Sequence, residues 1–185
     1  MSVLVAEEEQ PPAATTESDR LDAASFADVY RLHRRSVYRY LRAKVRDEDE
    51  ALDLTAITFE RAFASRDRFR RRDGGVHAWL LRIARNAAID ASRRRRPTVD
   101  IAGGGADAFL GRAAVETDRV DRERGAIVDL VSTLPGEQRD IILLRYAAGL
   151  TAKEIGVVVG KREGAVQKQI ERGLAALREA LHDDA

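Results

Sequence analysis

The densest cluster of chemically useful side chains is a set of arginines in the middle of the chain. Residues 66–96 contain eleven Arg and three Asp and end in four consecutive arginines. Arginines so close together repel one another unless an anion lies nearby, which favours an anionic partner over an ordinary solvated surface. Phe69 and Trp79 fall in the same stretch, and cationic channels with planar side chains suit single-stranded DNA. Trp79 itself is assigned to the core, because apolar residues share its region of the sequence.

A second candidate binding unit is the segment 151–173, which has the pattern of a helix-turn-helix. Residues 151–154 (TAKE) fit a capping box before an apolar helix, and Gly160 fits the turn that follows. The small Gly156 suits a close approach of two crossing helices. Such a unit places its second helix in the major groove of duplex DNA. A polar, basic outer face favours DNA binding over an αα-hairpin that only packs, and the side chains able to reach phosphates or bases are Gln167, Lys168, Gln169 and Arg172.

Charge along the chain is segregated rather than mixed. The 185 residues include Lys+Arg 32 and Asp+Glu 31, a net charge of +1. Residues 45–60 nevertheless hold six acids and one Arg, whereas residues 25–44 hold six bases and one acid. Blocks of opposite sign suggest two differently charged partners. For the acidic block, an ordinary solvated helix face is an equally good interpretation.

The residue types needed for most catalytic or metal sites are absent or scattered. The chain has no Cys, which excludes disulfides, Cys-ligated zinc and thiol chemistry, and suits a reducing compartment. Its histidines, His33, His77 and His182, are far apart, with no carboxylate cluster at ligand spacing. Gly103–Gly105 is not followed by the Lys-Ser/Thr start of a phosphate-binding helix. We therefore predict no catalytic residue, no metal site and no cofactor, and we disfavour an enzyme.

Helical spacing of apolar residues dominates the chain and strand signals are nearly absent, so the sequence predicts an all-α fold. Ser25 is the expected N-cap of the first helix, and the second is expected to begin near Asp49. The third is expected from about Val76 to Arg95, with Pro97 ending it. Along the last helix a continuous buried stripe is predicted at Val166, Ile170, Leu174, Leu177 and Leu181.

Composition divides the chain into two small helical domains joined by a flexible linker. Residues 1–24 hold six acids and one Arg, which is typical of a disordered acidic tail. Residues 25–96 form the first domain, 97–119 the Gly-containing linker and 120–182 the second domain. Such a tether would let the domains occupy separate sites on one long ligand. No apolar run approaches the ~20 residues of a membrane-spanning helix, and the N-terminus lacks a secretory signal, so a cytoplasmic protein is expected.

The order of these segments resembles a bacterial RNA polymerase sigma factor of the extracytoplasmic-function (ECF) type. The resemblance covers residues 25–181 and rests on the strings FADVYRLHRRSVYRYL, DEALDLTAITFERAF, WLLRIARN and LPGEQRDIILLRYAAGLTAKEIG, in that order around a linker. It implies that residues 25–96 are the family's region 2 domain and that residues 120–182 are its region 4 helix-turn-helix domain. It also implies a function: binding core RNA polymerase, directing it to promoters and helping to melt them.

The resemblance assigns roles to individual positions as well. The residues implied to hold the melted strand of the minus-ten element are Arg70, Arg82, Arg85, Asn86, Asp90, Arg93 and Arg94. Those implied to read the duplex minus-thirty-five element are Arg162, Glu163, Ala165, Gln167, Lys168, Glu171 and Arg172. Polymerase contact is implied for Arg39, Arg42, Asp53 and Leu54. The family also leads us to expect an anti-sigma protein as a further partner.

Three departures from the family pattern bear on these assignments. Ala56 and Ile57 stand where relatives usually carry Gln and Glu, so polymerase contact is expected to be weaker or differently arranged. The recognition helix begins with fewer cations than usual, so a minus-thirty-five sequence should not be borrowed from relatives. Gly173 inside that helix costs roughly 1 kcal/mol relative to Ala.

The alternative function is a stand-alone helix-turn-helix regulator, which usually needs a dimer. We find no clear dimerisation helix in the sequence.

Overall fold

The computed structural model describes residues 21–70, 74–95 and 127–183, and all regular structure within these ranges is helical. In the N-terminal domain, α1 spans Ala23–Val45, α2 spans Glu48–Ser65 and α3 spans Gly75–Arg95, with a short 3-10 helix at Arg66–Arg68. In the C-terminal domain, a helical segment at 127–132 precedes α4 (Gly136–Tyr146), α5 (Ala152–Val159) and α6 (Glu163–Asp183). The all-α prediction is confirmed. The predicted linker 97–119 and nearly all of the predicted tail 1–24 lie outside the described residues.

Local capping sets the corner between α1 and α2. Asp22, not Ser25, caps α1, because its carboxylate accepts a hydrogen bond from the Ser25 N–H at 2.7 Å. The predicted cap was wrong because this acid, three residues upstream, satisfies the first turn. Arg46 ends α1 with a left-handed φ of 62°, and Asp47 then caps α2 by accepting from the Glu50 N–H at 2.7 Å. The corner lays α2 against α1.

The core of the N-terminal domain fills the space between its three helices. Val37, Tyr40 and Leu41 of α1 are fully buried. Trp79 of α3 is 6% exposed, so its assignment to the core is confirmed. The ring of Phe69, which follows the 3-10 helix, packs on Trp79 at a centroid distance of 5.1 Å. Both aromatic rings of the arginine-rich stretch are therefore interior.

The C-terminal domain packs α4, α5 and α6 around fully buried aliphatic residues, including Leu144, Ile155 and Val166. The stripe predicted along α6 is only partly correct: Val166 and Ile170 are buried, Leu174 and Leu177 are half-buried, and Leu181 is 59% exposed. Gly173 is unfavourable for helix formation, but helix packing explains its presence in α6. A Cβ added there would come within 3.0 Å of Ile142, so the glycine allows α6 to approach α4 closely.

The two domains are in contact rather than separate. α3 packs against α5, α1 packs against α4, and the buried apolar residues of both domains form one cluster. This direct packing was not predicted, because the linker suggested independent bodies. In the described ranges, no helix combines the length and the apolar character needed to cross a membrane.

Candidate nucleic-acid interface

Local hydrogen bonds fix the turn of the helix-turn-helix. The predicted capping box is present: Glu154 N–H donates to the Thr151 hydroxyl at 3.3 Å, and Thr151 N–H donates to the Glu154 carboxylate at 2.8 Å. Gly160 ends α5 with a left-handed φ of 73°. Lys161 N–H donates back to the Gly156 carbonyl at 2.9 Å. A Cβ on Gly156 would lie 2.5 Å from the Lys161 carbonyl oxygen, so this turn requires glycine.

The outer face of α6 presents the residues predicted to read duplex DNA. Val166 and Ile170 point inward, at 0% and 6% exposure, and fix the rotation of the helix. As a result the following residues, at the turn and along α6, are all exposed: Arg162, Glu163, Ala165, Gln167, Lys168, Glu171 and Arg172. Lys161, just before them, pairs with Glu137 of α4 at 2.7 Å. The geometry is that of a recognition helix with an open face.

The residues predicted to hold a melted strand are in different situations along α3. Asn86, Arg93 and Arg94 are exposed, and Arg82 is half-buried. Asp90 pairs with Arg61 of α2 at 3.2 Å, which ties the two helices together. Arg85, at the same level of the helix as Arg82 and Asn86, is instead bound by Asp140 of α4, with Arg85 Nε 2.8 Å from a carboxylate oxygen.

Arg70, which lies before α3, also belongs to the residues predicted to hold the melted strand. Arg70 donates to the carbonyls of Asp67 and Phe69 at 2.9 and 2.8 Å, which curls its side chain onto its own backbone. The neighbouring arginines, at 71 and 72, lie outside the described residues. Since Phe69 and Trp79 are 3% and 6% exposed, neither ring offers a stacking surface for bases. Trp79 was assigned to the core from the sequence; Phe69, the other planar side chain near the arginines, is buried as well.

The predicted polymerase contacts divide between surface and core. Arg39, Arg42 and Asp53 are exposed, and Arg42 also caps the end of α1 by donating to the Arg46 carbonyl. Leu54 is only 2% exposed and belongs to the core, which contradicts its predicted place on a contact surface. Leu52, which was not predicted, is 52% exposed beside Asp53. The spacing of the buried Ala51, Leu54, Thr58 and Ala62 sets this rotation of α2.

The perturbed histidines lie near the junction of the two domains. His33 and His77 stack with ring centroids 4.8 Å apart. Burial, and secondarily the neighbouring His77, lowers the pKa of His33 from 6.5 to about 4, and burial lowers the pKa of His77. Among the described residues, no group of three or more His, Asp and Glu side chains could hold a metal ion.

Family models match both domains. A model of Sigma-70 region 2 matches residues 29–98, and one of Sigma-70, region 4 matches residues 124–177. Together with the helical fold and the open recognition helix, these matches define a sigma factor of the sigma-70 class. The chain belongs to the ECF RNA polymerase sigma factors, the proteins that direct RNA polymerase to promoters.

Individual relatives agree with that assignment. The ECF sigma factor BldN of Streptomyces coelicolor is 31% identical over 189 residues, covering 94% of this chain and 70% of BldN. SigW of Bacillus subtilis is 29% identical over 172 residues, covering 88% of this chain and 91% of SigW. The structure of CnrH with the cytosolic domain of CnrY superposes with a TM-score of 0.69 at 23% identity, over 89% of this chain and 92% of CnrH. That match supports the fold.

Proposed function

We propose that this sigma factor binds core RNA polymerase through the outer faces of α1 and α2, and opens promoters with α3 and α6. The observation that carries the proposal is the open face formed by α6 and the turn before it, where every residue assigned to duplex reading is exposed. The protein itself makes and breaks no bond. It acts in the cytoplasm, where its polymerase and promoter DNA are found.

The duplex step belongs to α6. Its outer face lies where a helix-turn-helix presents residues to the major groove. Lys168 and Arg172 contact phosphate or guanine, and Gln167 suits adenine. The acids Glu163 and Glu171 lie among these cations, so nonspecific attraction is moderate and base contacts carry more of the selectivity.

The melted-strand step belongs to α3. Unpairing and extruding a base costs roughly a few kcal/mol, so the protein must supply new contacts to the exposed base and backbone. Asn86 and Arg82 offer hydrogen bonds to a base edge, and Arg93 and Arg94 offer charge to its phosphates. With Phe69 and Trp79 in the core, hydrogen bonds and charge replace aromatic stacking in the described part of this surface.

Polymerase binding belongs to the exposed parts of α1 and α2. Leu52 and Asp53 present an apolar and an acidic group side by side, a pair suited to a basic coiled coil on the clamp. Arg39 and Arg42 of α1 add a cationic contact. Leu54 contributes from beneath, by holding α2 in place.

An anti-sigma protein is proposed as the further partner. The support is that relatives of this fold, CnrH and the RpoE of Bartonella quintana, have been solved in complex with CnrY and with the anti-sigma factor NepR. Such a partner would cover the polymerase or DNA surfaces described above.

Run-off transcription with core polymerase and fragmented genomic DNA tests the proposal. We expect defined transcripts that depend on the protein. The double variant Leu52→Ala/Asp53→Ala should weaken binding to core polymerase by about tenfold or more, whereas Asp28→Ala, which removes an exposed acid from α1, should not. If the chain never associates with polymerase but binds duplex DNA tightly alone, the stand-alone regulator is the correct function.

A further inference from the structure

The carboxylate of Asp140 on α4 contacts two cations of the other domain, beside a separate ion pair between Arg46 and Asp129. The side chain of Asp140 is only 5% exposed. One of its oxygens accepts a hydrogen bond from Arg85 Nε of α3 at 2.8 Å, and the other pairs with Lys44 Nζ of α1. Both cations belong to the N-terminal domain, whereas Asp140 belongs to the C-terminal domain. We call these three residues the Asp140 latch.

The charged groups of the Asp140 latch are stabilised by one another when the domains are in contact, and by water when the domains are apart. A carboxylate removed from water is costly unless cations and hydrogen bonds compensate it, so Asp140 stays buried only while Lys44 and Arg85 face it. Both cations remain near solvent, at 18% and 23% side-chain exposure. If the domains separate, water solvates all three groups. The free-energy difference between the closed and open forms is therefore small enough for a binding partner to reverse which form is favoured.

Further contacts follow the same seam between the domains. The Ser36 hydroxyl of α1 donates to the Ala148 carbonyl at 3.0 Å and lies 2.7 Å from His77 Nε2. Gly74, just before α3, lies directly under Val157 of α5: a Cβ on this glycine would come within 3.0 Å of the valine. The first helix of the helix-turn-helix thus lies on the start of the helix assigned to the melted strand.

This closed arrangement conflicts with simultaneous recognition of both promoter elements. Elements at minus ten and minus thirty-five are separated by about 25 base pairs, or roughly 85 Å at about 3.4 Å per pair. A protein in which α5 packs directly on α3 does not span that distance. In addition, the guanidinium of Arg85 cannot hold Asp140 and a DNA phosphate or base in the same place.

We propose that the Asp140 latch holds the free sigma factor in a closed form that cannot engage a promoter, and that binding to polymerase opens it. The occupant of the Arg85 site in the closed form is the chain's own Asp140. The regulatory part of this inference rests on the proposed function, because it assigns Arg85 to DNA. The existence of the latch does not.

The first experiment measures the distance between domains in the free full-length chain. Because the sequence has no Cys, Ala27→Cys on α1 and Ala175→Cys on α6 provide two unique fluorophore sites, both exposed. We expect high energy transfer in the parent and lower transfer in Asp140→Asn, with the closed-to-open ratio falling by at least about tenfold. Asp28→Asn removes the same charge from an exposed position and should leave transfer unchanged. Lys44→Gln should shift it in the same direction as Asp140→Asn, which covers the case in which the first variant folds poorly.

The second experiment locks the closed form and reads transcription. In Gly74→Cys/Val157→Cys, the Cβ atoms would lie 3.2 Å apart, just short of the roughly 3.5–4.5 Å of a disulfide. The oxidised chain should lose promoter-dependent transcription with core polymerase, and reduction should restore it. The reduced form controls for strain at Gly74.

The outcomes separate the two proposals. Unchanged energy transfer in both Asp140→Asn and Lys44→Gln, or failure of the Gly74→Cys/Val157→Cys pair to cross-link, would overturn the latch. Full activity of an oxidised, cross-linked chain would overturn its inhibitory role. If even the reduced chain and the parent fail to support transcription, the proposed function fails, while the energy-transfer result still decides whether the latch exists.

Discussion

Gly156 shows how the absence of one side chain fixes the angle of the recognition helix. Its Cα lies so close to the next turn that any Cβ would meet the Lys161 backbone carbonyl at 2.5 Å. We predict that Gly156→Ala destabilises the C-terminal domain by about 1–3 kcal/mol, since the backbone must move. The matched control is Gly164→Ala on α6, where nothing lies within 4 Å of the added Cβ, and which should stabilise by up to ~1 kcal/mol. Urea unfolding followed by circular dichroism measures both; equal effects would refute the packing argument.

The exposed cations of α6 lead to a prediction about salt. Lys168→Ala or Arg172→Ala should weaken promoter binding by the polymerase complex and reduce the slope of log K against log salt by about one unit for each phosphate that is no longer neutralised. Arg178→Ala, an exposed cation further along the same helix, should leave the slope unchanged. Filter binding at several salt concentrations provides the slopes. A uniform effect of all three substitutions would point to general electrostatics instead of a specific face.

Individual residues also show where sequence reasoning reached its limit. The exposed set on α6 was predictable, because Val166 and Ile170 fix the inward direction through local spacing. Spacing did not predict the rotation of α2, where Leu52 is exposed and Leu54 is buried, and the family motif implied Leu54 for polymerase contact. Asp140 could not be foreseen: its partners lie 96 and 55 residues away, and no local pattern encodes such a pairing.

At the scale of helices, local sequence signals predicted that each helix exists better than they predicted the residues at which it begins and ends. The capping box of α5, its glycine stop and the start of α6 at Glu163 agree with prediction, since each depends on neighbours within one turn. The N-cap of α1 is Asp22 and not the predicted Ser25, because two residues within one turn of each other could both serve as a cap. The contact of α3 with α5 depends on the whole arrangement, and the linker composition pointed away from it.

From the stacked histidines we predict that acid destabilises the contact between the two domains, where α1 and α3 meet α5. Burial lowers the pKa of His33 to about 4 and lowers that of His77, while Glu154 of α5 opposes the shift of His77. A base with a lowered pKa binds fewer protons in the closed form. Closed-form stability is therefore complete above pH 6.5, the ordinary histidine value, and declines as the pH falls from 6.5 toward 4. Energy transfer in the doubly labelled chain should fall over this range.

The control for the acid effect is a variant that lacks the imidazole of His77. His77→Gln keeps a polar group beside Ser36 and should weaken the decline of energy transfer below pH 6.5. A parent chain whose energy transfer is constant over this range would contradict the prediction.

For the molecule as a whole, the shared apolar cluster predicts a single cooperative unfolding transition. Trp79 is the sole tryptophan and lies in the N-terminal domain, so its fluorescence follows that domain, whereas far-ultraviolet circular dichroism follows both. The two urea curves should coincide for the parent and separate for Asp140→Asn. Separate curves in the parent would show that the domains unfold independently even when Asp140 is paired.

The burial of Asp140 between two cations has a consequence for every interaction that needs the extended molecule. If only a fraction of free molecules is extended at any moment, each measured dissociation constant is the intrinsic one divided by that fraction. Substitutions at this one carboxylate should therefore tighten binding to unrelated ligands by the same factor, whatever surfaces those ligands touch. A ligand that prefers the compact shape should be weakened by that factor, so a panel of affinities would sort the partners of this sigma factor into activators and inhibitors.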